Sequence, residues 1–219
     1  MNVIVLGGSG FIGQAVCVKL AEHGFRVTSL SRSGGKNVKE EWKHHPSITW
    51  QKTDVFDFSS WQSLLSAQPV VINLIGLLKE NKKINQTFQR YHVDLQRGLL
   101  PVLIENEIPH YLYLSAAGKS PWMSPTYLTT KKKAEALITQ APLPSLIIQS
   151  GLVVDKDRPS SLFFGYSLAI LKYIPFISQK VQNVLPITRD DLSSLIVNSL
   201  IKKETGIIQT FNKKDLSLK

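Results

Sequence analysis

The chain opens with MNVIVLGGSGFIG, an apolar run that passes straight into a cluster of glycines. Val3, Ile4, Val5 and Leu6 are too uniformly apolar for a half-wet, alternating strand and predict one buried on both faces. After Gly13 the apolar residues Ala15, Val16 and Leu20 return at helical spacing, and Gly24 stands where that helix would end. Gly7, Gly10 and Gly13 thus fall in a strand-to-helix turn with the spacing G-x-x-G-x-x-G. Such a turn brings bare backbone N–H groups and a helix N-terminus against a pyrophosphate. Gly7 would permit the turn, Gly10 the close approach of phosphate, and Gly13 tight packing of helix on strand. Framed in this way by strand and helix, the glycines predict nucleotide binding.

The rest of the chain keeps the alternation. Strand patterns occur at RVTSL (26–30), ITWQKTD (48–54), VVINLIG (70–76), HYLYLSA (110–116) and SLIIQSGLVV (145–154). Between them, helical patterns cover SSWQSLLSA (59–67), a long stretch from about Asn85 to Glu105, and about Tyr127 to Thr139. Pro101 inside the long stretch predicts a kink or an early break there. Alternating strands and helices imply a parallel sheet covered on both faces. The predicted fold is α/β, a Rossmann-type doubly wound parallel sheet over residues 1–154. Residues 155–219, where the pattern turns irregular, form a small substrate-covering region packed on it as a single structural unit. Asp190 and Asp191 fit an N-cap for a helix over Leu192–Leu200.

Composition narrows the function. The one cysteine, Cys17, excludes a disulfide framework and suits a reducing compartment, and it reads as a small buried residue of the first helix. A strand that begins at residue 2 leaves no room for a removable targeting segment, so a location in the cytoplasm, or peripheral at the inner face of a membrane, is expected. The longest apolar stretch, LFFGYSLAILKYIPFI (162–177), is interrupted by Lys172 and Pro175 and is short for a membrane span. It would serve as an amphipathic lid, or as a surface against lipid or an apolar substrate. The formal net charge of +10 comes from lysines scattered over separate segments with no nucleic-acid module beside them. Nucleic-acid binding is therefore not expected; solvated faces, or attraction to acidic lipids and phosphorylated ligands, are. His44 and His45 lack further ligands at zinc spacing, so no metal site is expected. His92 and Asp94 read as residues that pack or cap locally.

The second strand carries a cofactor preference. In this kind of fold an acidic residue at its end binds the adenine-ribose hydroxyls of NAD. Here it ends in Ser31, Arg32 and Ser33 with no carboxylate. An arginine makes paired hydrogen bonds to a 2′-phosphate and stacks on adenine, which favours NADP(H) over NAD(H). Asp54, ending the third strand, is placed either to meet the adenine amino group or to serve a turn.

A reaction centre is suggested by LSAAGKSPWMSPTYLTTKKKAEALI. Tyr127 and Lys131 are four apart and share a helix face, and Ser115 ends the preceding strand. A lysine ammonium beside a phenol lowers its pKa toward neutrality and prepares it for proton transfer. With a serine hydroxyl on the substrate oxygen and a nicotinamide ring, these groups suffice for carbonyl reduction or alcohol oxidation. Trp122 and Met123 either wall the substrate site or pack a loop on the core.

In this order of features the chain resembles the short-chain dehydrogenase/reductase superfamily, in its extended and atypical branch. Its closest likeness there is to the NAD(P)-binding proteins related to the 39-kDa accessory subunit of respiratory complex I and to fungal accessory proteins of coenzyme Q biosynthesis. The stretches VLGGSGFIG, SLSRSG, DVFD, VINLIGLLKE, YHVDLQRGLL, YLYLSAAG, SPTYLTTKKKAEALI and LPITRDDLSSLIV carry the likeness. The resemblance implies that Gly7, Gly10, Phe11, Ile12 and Gly13 line the pyrophosphate. It assigns Ser31 and Arg32 to the 2′-phosphate, Asp54 and Val55 to adenine, and Ile75 and Gly76 to the nicotinamide-side ribose. Ser115, Tyr127 and Lys131 match the superfamily's catalytic set, with Tyr127 and Lys131 also touching cofactor. Where many extended members carry Arg-Pro-Gly after the sixth strand, this chain has Gln149, Ser150 and Gly151, near the expected nicotinamide. Sugar-nucleotide epimerases of this fold devote many more residues to their substrate, so that activity is not expected. Three functions follow: an NADP(H)-dependent reductase of an apolar carbonyl or quinone-pathway compound, a non-catalytic NADPH-binding accessory protein of a membrane-associated assembly, and a redox-sensing regulator.

Overall fold

The first apolar run becomes β1 (Asn2–Leu6), and its side chains divide between two cores. Val3 and Val5 enter one cluster, Ile4 and Leu6 the other, so both faces of the strand are buried. The computed structural model describes residues 1–117, 124–156 and 186–210. Along it follow α1 (Phe11–Glu22), β2 (Arg26–Ser31), the short α2 (Glu40–Lys43), β3 (Ile48–Lys52) and β4 (Val70–Asn73). Next come α3 (Leu95–Glu105), β5 (Tyr111–Ala116), α4 (Pro125–Gln140), β6 (Ser145–Ser150) and β7 (Val153–Val154). The chain continues through β8 (Ile187–Thr188), α5 (Arg189–Ile201) and β9 (Gly206–Gln209).

Seven strands form one parallel sheet in the order β3-β2-β1-β4-β5-β6-β9, the doubly wound arrangement expected. Val3 pairs with Val27 on one side and with Val70 on the other. The chain therefore leaves β1 in one direction and returns past it to β4, which opens a crevice beyond the strand ends at that switch point. Helices α1 and α5 cover one face, where Val16, Cys17 and Leu20 meet Ile196, Val197 and Leu200. On the other face α3 and α4 bury Leu95, Leu99, Leu103, Ala134 and Ile138 with Trp61 and Leu65. Each such aliphatic side chain contributes about 1.5–3 kcal/mol by leaving water. Cys17 lies fully inside the first layer, where burial pushes its thiol up and keeps it unreactive.

Several boundaries differ from the sequence expectation, each for a local reason. Residues 59–67 form two short 3₁₀ segments, Phe58–Ser60 and Gln62–Ala67, instead of an α-helix. The long stretch begins with a π-helical turn, Gln89–Asp94, and its α-helical part runs unbroken through Pro101 to Glu105. Pro101 and Arg97, whose carbonyl would have accepted the missing N–H, are both exposed, so water can satisfy that carbonyl. The third strand stops at Lys52, leaving Asp54 in the following turn. Segment 145–154 is two strands, because the chain leaves the main sheet at Gly151, whose N–H donates to Thr210 Oγ1 at 3.1 Å. β7 then pairs with β8 in a small second sheet. Residues 189–209 lie beyond the expected 154/155 division, yet they supply α5 and β9 to the main layered unit. The 162–177 stretch, Trp122 and Met123 fall outside the described residues. Among the described residues no helix is long and apolar enough to cross a membrane.

Helix α5 is capped by Thr188, not by Asp190 or Asp191. Thr188 Oγ1 accepts the Asp191 N–H at 3.0 Å and donates to Asp191 Oδ2 at 2.7 Å. The aspartates occupy the first turn, where their charge suits the helix dipole. Thr188→Ala is expected to cost about 1 kcal/mol of stability, measured as a lower urea midpoint with an unchanged slope. An unaltered midpoint would show the cap to be redundant.

Candidate functional site

The site starts at the end of β1, where the backbone is tightest. Gly7 takes φ +82, a left-handed conformation that L side chains rarely adopt. Its N–H donates to Leu30 O at 2.8 Å, and its carbonyl accepts the Gly10 N–H at 3.0 Å. A Cβ on Gly13 would sit 2.4 Å from Gly7 O, so any side chain there would push α1 off the strand. Gly8 is equally constrained, with a Cβ falling 2.4 Å from Ser29 Oγ, although the motif spacing does not single it out. Gly10 is exposed, and α1 begins at it with no side chain capping the first turn. Phe11 and Ile12, half-buried, follow as the first residues of that turn. This is a cradle of backbone N–H groups at a helix N-terminus, and it fits a pyrophosphate.

The end of β2 closes one side of the cradle. Ser9 Oγ donates to buried Ser31 Oγ at 2.8 Å and lies 2.9 Å from Ser33 Oγ, which ties the glycine turn to that strand. Arg32 points outward, its guanidinium 5.8 Å from the Tyr91 ring centre. Asp54 is exposed and its Oδ1 accepts the Phe56 N–H at 3.1 Å, which is the geometry of a turn residue; Val55 beside it is buried. Ile75 borders the Gly7 turn, with its Cγ1 3.1 Å from where a Gly7 Cβ would be. Its N–H donates to Asn73 Oδ1 at 3.0 Å, whereas Gly76 next to it is open to solvent.

Ser115, Tyr127 and Lys131 are all buried, at the end of β5 and along α4. Their connections depart from the sequence expectation. Lys131 does not hydrogen-bond the Tyr127 phenol. Its Nζ turns toward β5 and donates to Tyr113 Oη at 3.0 Å and Leu114 O at 2.9 Å. A buried ammonium needs acceptors within reach, and β5 supplies them. Burial pushes Lys131 down to about 7, against an opposing pull from Glu135. Tyr127 is shifted upward, not downward: burial holds its phenol at about 12. Ser115 Oγ donates to Glu135 Oε1, and Gln149 Nε2 donates to Glu135 Oε2 at 2.9 Å. Gln149 Oε1 in turn accepts from Gln209 Nε2 at 2.7 Å.

Sequence reasoning did not single out Glu135 and Tyr113, although the spacing carries both. Glu135 is four residues beyond Lys131 on the same face of α4, and Tyr113 is two residues before Ser115 on the same face of β5. His92 lies in the π-helical turn, fully buried, its ring stacked on Phe88 at 5.7 Å and edge-on to Tyr127 at 5.1 Å. Thr130 Oγ1 donates to the carbonyls of Thr126 and Tyr127, so it accepts from His92 Nδ1–H at 2.9 Å. That tautomer leaves Nε2 as a buried lone pair with no partner among the described residues. Asp94, read as a local capping residue, accepts from Gln89 and Arg97.

The family model described as the NAD dependent epimerase/dehydratase family matches residues 3–138. An uncharacterized chloroplastic protein of Arabidopsis thaliana is 27% identical over 171 residues, 74% of this chain and 53% of that protein. MIOREX complex component 2 of Saccharomyces cerevisiae is 32% identical over 92 residues, covering 41% of this chain and 33% of its own length. The mouse epimerase family protein SDR39U1 is 27% identical over 179 residues, 71% of this chain and 56% of that protein. The chain thus spans between a third and just over half of the curated relatives it matches. Among solved structures, Bordetella bronchiseptica WbmH in complex with NAD+ superposes with a TM-score of 0.68 at 17% identity, over 94% of this chain and 73% of that one. UDP-N-acetylglucosamine 4-epimerase of Methanobrevibacter ruminantium gives 0.70 at 17% identity, over 94% and 75%. At these identities the structures attest the fold.

Burial, reinforced by the nearby Lys131 charge, lowers His92 from 6.5 to about 3. Between those values the unfolded chain binds a proton that the folded chain refuses, so this group makes stability rise with pH across that window. Replacing His92 with Asn is expected to flatten the rise, read as urea midpoints of the two proteins from about pH 3 to 6.5. Parallel curves would mean that His92 is solvated.

Proposed function

The chain belongs to the NAD dependent epimerase/dehydratase family, and from that premise we propose an NADP(H)-binding, reductase-like protein whose substrate is an apolar carbonyl or quinone-type compound. The observation that carries the cofactor reading is the end of β2. It offers Ser31, Arg32 and Ser33, with no carboxylate to meet a free ribose, beside a cradle of glycines. Gly7, Gly10, Phe11, Ile12 and Gly13 would hold the pyrophosphate, Ser31 and Arg32 the 2′-phosphate, and Asp54 and Val55 the adenine. Ile75, Gly76, Tyr127 and Lys131 would lie along the nicotinamide-side ribose. The bound dinucleotide supplies or accepts a hydride.

Tyr127 suits the reductive direction. A phenol that keeps its proton to about pH 12 can give it to a developing alkoxide. Alcohol oxidation would instead require it to start as a phenolate, which burial disfavours. Lys131, held near 7 by burial, would in its charged form stabilise the phenolate left when Tyr127 gives up its proton. Ser115 would orient the substrate oxygen.

A specific observation favours a second reading, in which NADPH is held without turnover in a protein assembly or at a membrane face. The Ser115 proton is committed to Glu135, and the Lys131 amine to Tyr113 and Leu114. One relative is named as a component of the MIOREX complex.

The two readings separate by nucleotide exchange. The purified protein is analysed by mass spectrometry for its nucleotide and then chased with labelled NADPH. Exchange within seconds fits a reductase, and retention for hours fits a structural cofactor. Arg32→Ala is expected to weaken NADPH about tenfold to a hundredfold, the loss of a charged hydrogen bond of about 1.5–3 kcal/mol, and to leave NADH nearly unchanged. Equal losses for both nucleotides would remove the 2′-phosphate role. Tyr127→Phe is expected to spare binding and abolish any reduction; surviving turnover would overturn the proton-donor assignment.

A further inference from the structure

The first residue of α5 reaches the first residue of α1. Arg189 is buried, with 8% of its surface exposed, and its guanidinium lies 5.0 Å from the centre of the Phe11 ring. Its Nη1 comes within 3.5 Å of the Phe11 carbonyl oxygen, and its Nε forms an ion pair with Asp155 Oδ2 at 3.1 Å. Trp42 of α2 stands on a further side, with its ring centre 6.0 Å away. One planar cation thus joins the start of α1, the short helix in the loop after β2, the residue after β7 and the start of α5.

A buried guanidinium is costly without a carboxylate, and Asp155, whose side chain is only 16% exposed, supplies one. What the pair achieves lies at its other end. Phe11 follows Gly10 directly, so its backbone belongs to the first turn of the cradle. No side chain caps that turn, and Gly10 has none with which to anchor it. Phe11 is therefore the first side chain of α1 that can be gripped from outside, and a flat guanidinium grips a ring by its face. The neighbouring wall is held in place as well. Gln14 Oε1 accepts the Lys39 N–H at 3.2 Å, and Trp50 Nε1 donates to Trp42 O at 3.2 Å. An aliphatic residue could fill the space at 189, but only a charged, planar one is held at both ends, by Asp155 and by the ring.

We propose that Arg189 is a positioning residue of the dinucleotide site. Anchored by Asp155, it holds Phe11, and with it the first turn of α1, in the orientation that receives the pyrophosphate. It acts through Phe11, not by contact with the ligand. The cradle is thereby tied to the part of the chain that follows β7, and its affinity depends on Asp155 and Arg189 as well as on the glycines. The inference rests on the dinucleotide reading of the cradle. It does not depend on which ribose is bound, because NADPH and NADH share the pyrophosphate.

The test is calorimetric titration of the full chain with NADPH and with NADH, for wild type, Arg189→Lys, Phe11→Leu and the double variant. Thermal unfolding of each checks that it is folded. Lysine keeps a charge for Asp155 but lacks the plane that lies over the ring. Each single variant is expected to weaken both nucleotides alike, about threefold to tenfold, the range of a partly buried cation–ring contact. The double variant is expected to stay within about twofold of the weaker-binding single variant, because Arg189 has already lost the group it acts through. Should Arg189→Lys fail to fold, Asp155→Asn still reports. It leaves the stacked guanidinium and removes its anchor, and the same equal loss for both nucleotides is expected. Folded variants with wild-type affinity, or losses that add in the double variant, would overturn the positioning role and leave the dinucleotide site intact. A wild type that binds neither nucleotide would overturn this role together with the reading it rests on.

Discussion

The approach of one helix to the end of one strand governs this molecule. Gly13 at the start of α1 lies so close to the Gly7 carbonyl that a single Cβ would come within 2.4 Å of it. That contact lets α1 pack directly on β1, with Val16, Cys17 and Leu20 against Val3 and Val5. It also aims the first turn of α1 at the crevice where the sheet order reverses between β1 and β4. The packing requirement and the proposed cradling of a pyrophosphate rest on the same absent side chains. Gly8 belongs to the same arrangement, because a Cβ there would collide with Ser29 on the neighbouring strand.

Burial sets the character of the centre beyond the cradle. Tyr127, Lys131, His92 and Tyr113 all lie away from water, and each is shifted toward its neutral form. A site built in this way keeps protons on phenols and withholds them from the histidine. Glu135 draws Ser115 and Gln149 together from two adjacent strands, β5 and β6, and it stands one helical turn from Lys131. Gln149, within β6, is thereby part of the site's polar framework. Its Oε1 accepts from Gln209 of β9, the last strand of the sheet.

Elsewhere the turns are tied together by aromatic rings. Phe56 and Tyr91 join the turn after β3 to the π-helical turn and carry one arginine each. Ser9, Ser31 and Ser33 do the corresponding work at the glycine end through short hydroxyl contacts. Gln14 adds a tie from α1 to Ser9 O and Asn37 O, so the loop after β2 is held against the helix it overhangs.

The one-dimensional pattern was enough for the parallel sheet, the strand–glycine–helix opening and the elements that carry Ser115, Tyr127 and Lys131. Hydrophobic periodicity and glycine spacing are local properties, and a buried parallel strand or a strand-to-helix turn is specified within a dozen residues. The tertiary structure alone decided what each polar side chain bonds to. Spacing placed Lys131 one turn from Tyr127, but β5 supplied the acceptors that its buried amine took. Asp190 and Asp191 carried the expected charge for an N-cap, yet the helix begins at Arg189, which gives that place to Thr188. Pro101 read as a break, but its exposure on α3 removed the cost of the missing hydrogen bond. Phe56 and Tyr91 are far apart in the chain, and only the packing of the two turns that carry them brings their rings edge to face. Local pattern determines which elements form, and the demand that every buried polar atom find a partner determines how their side chains meet.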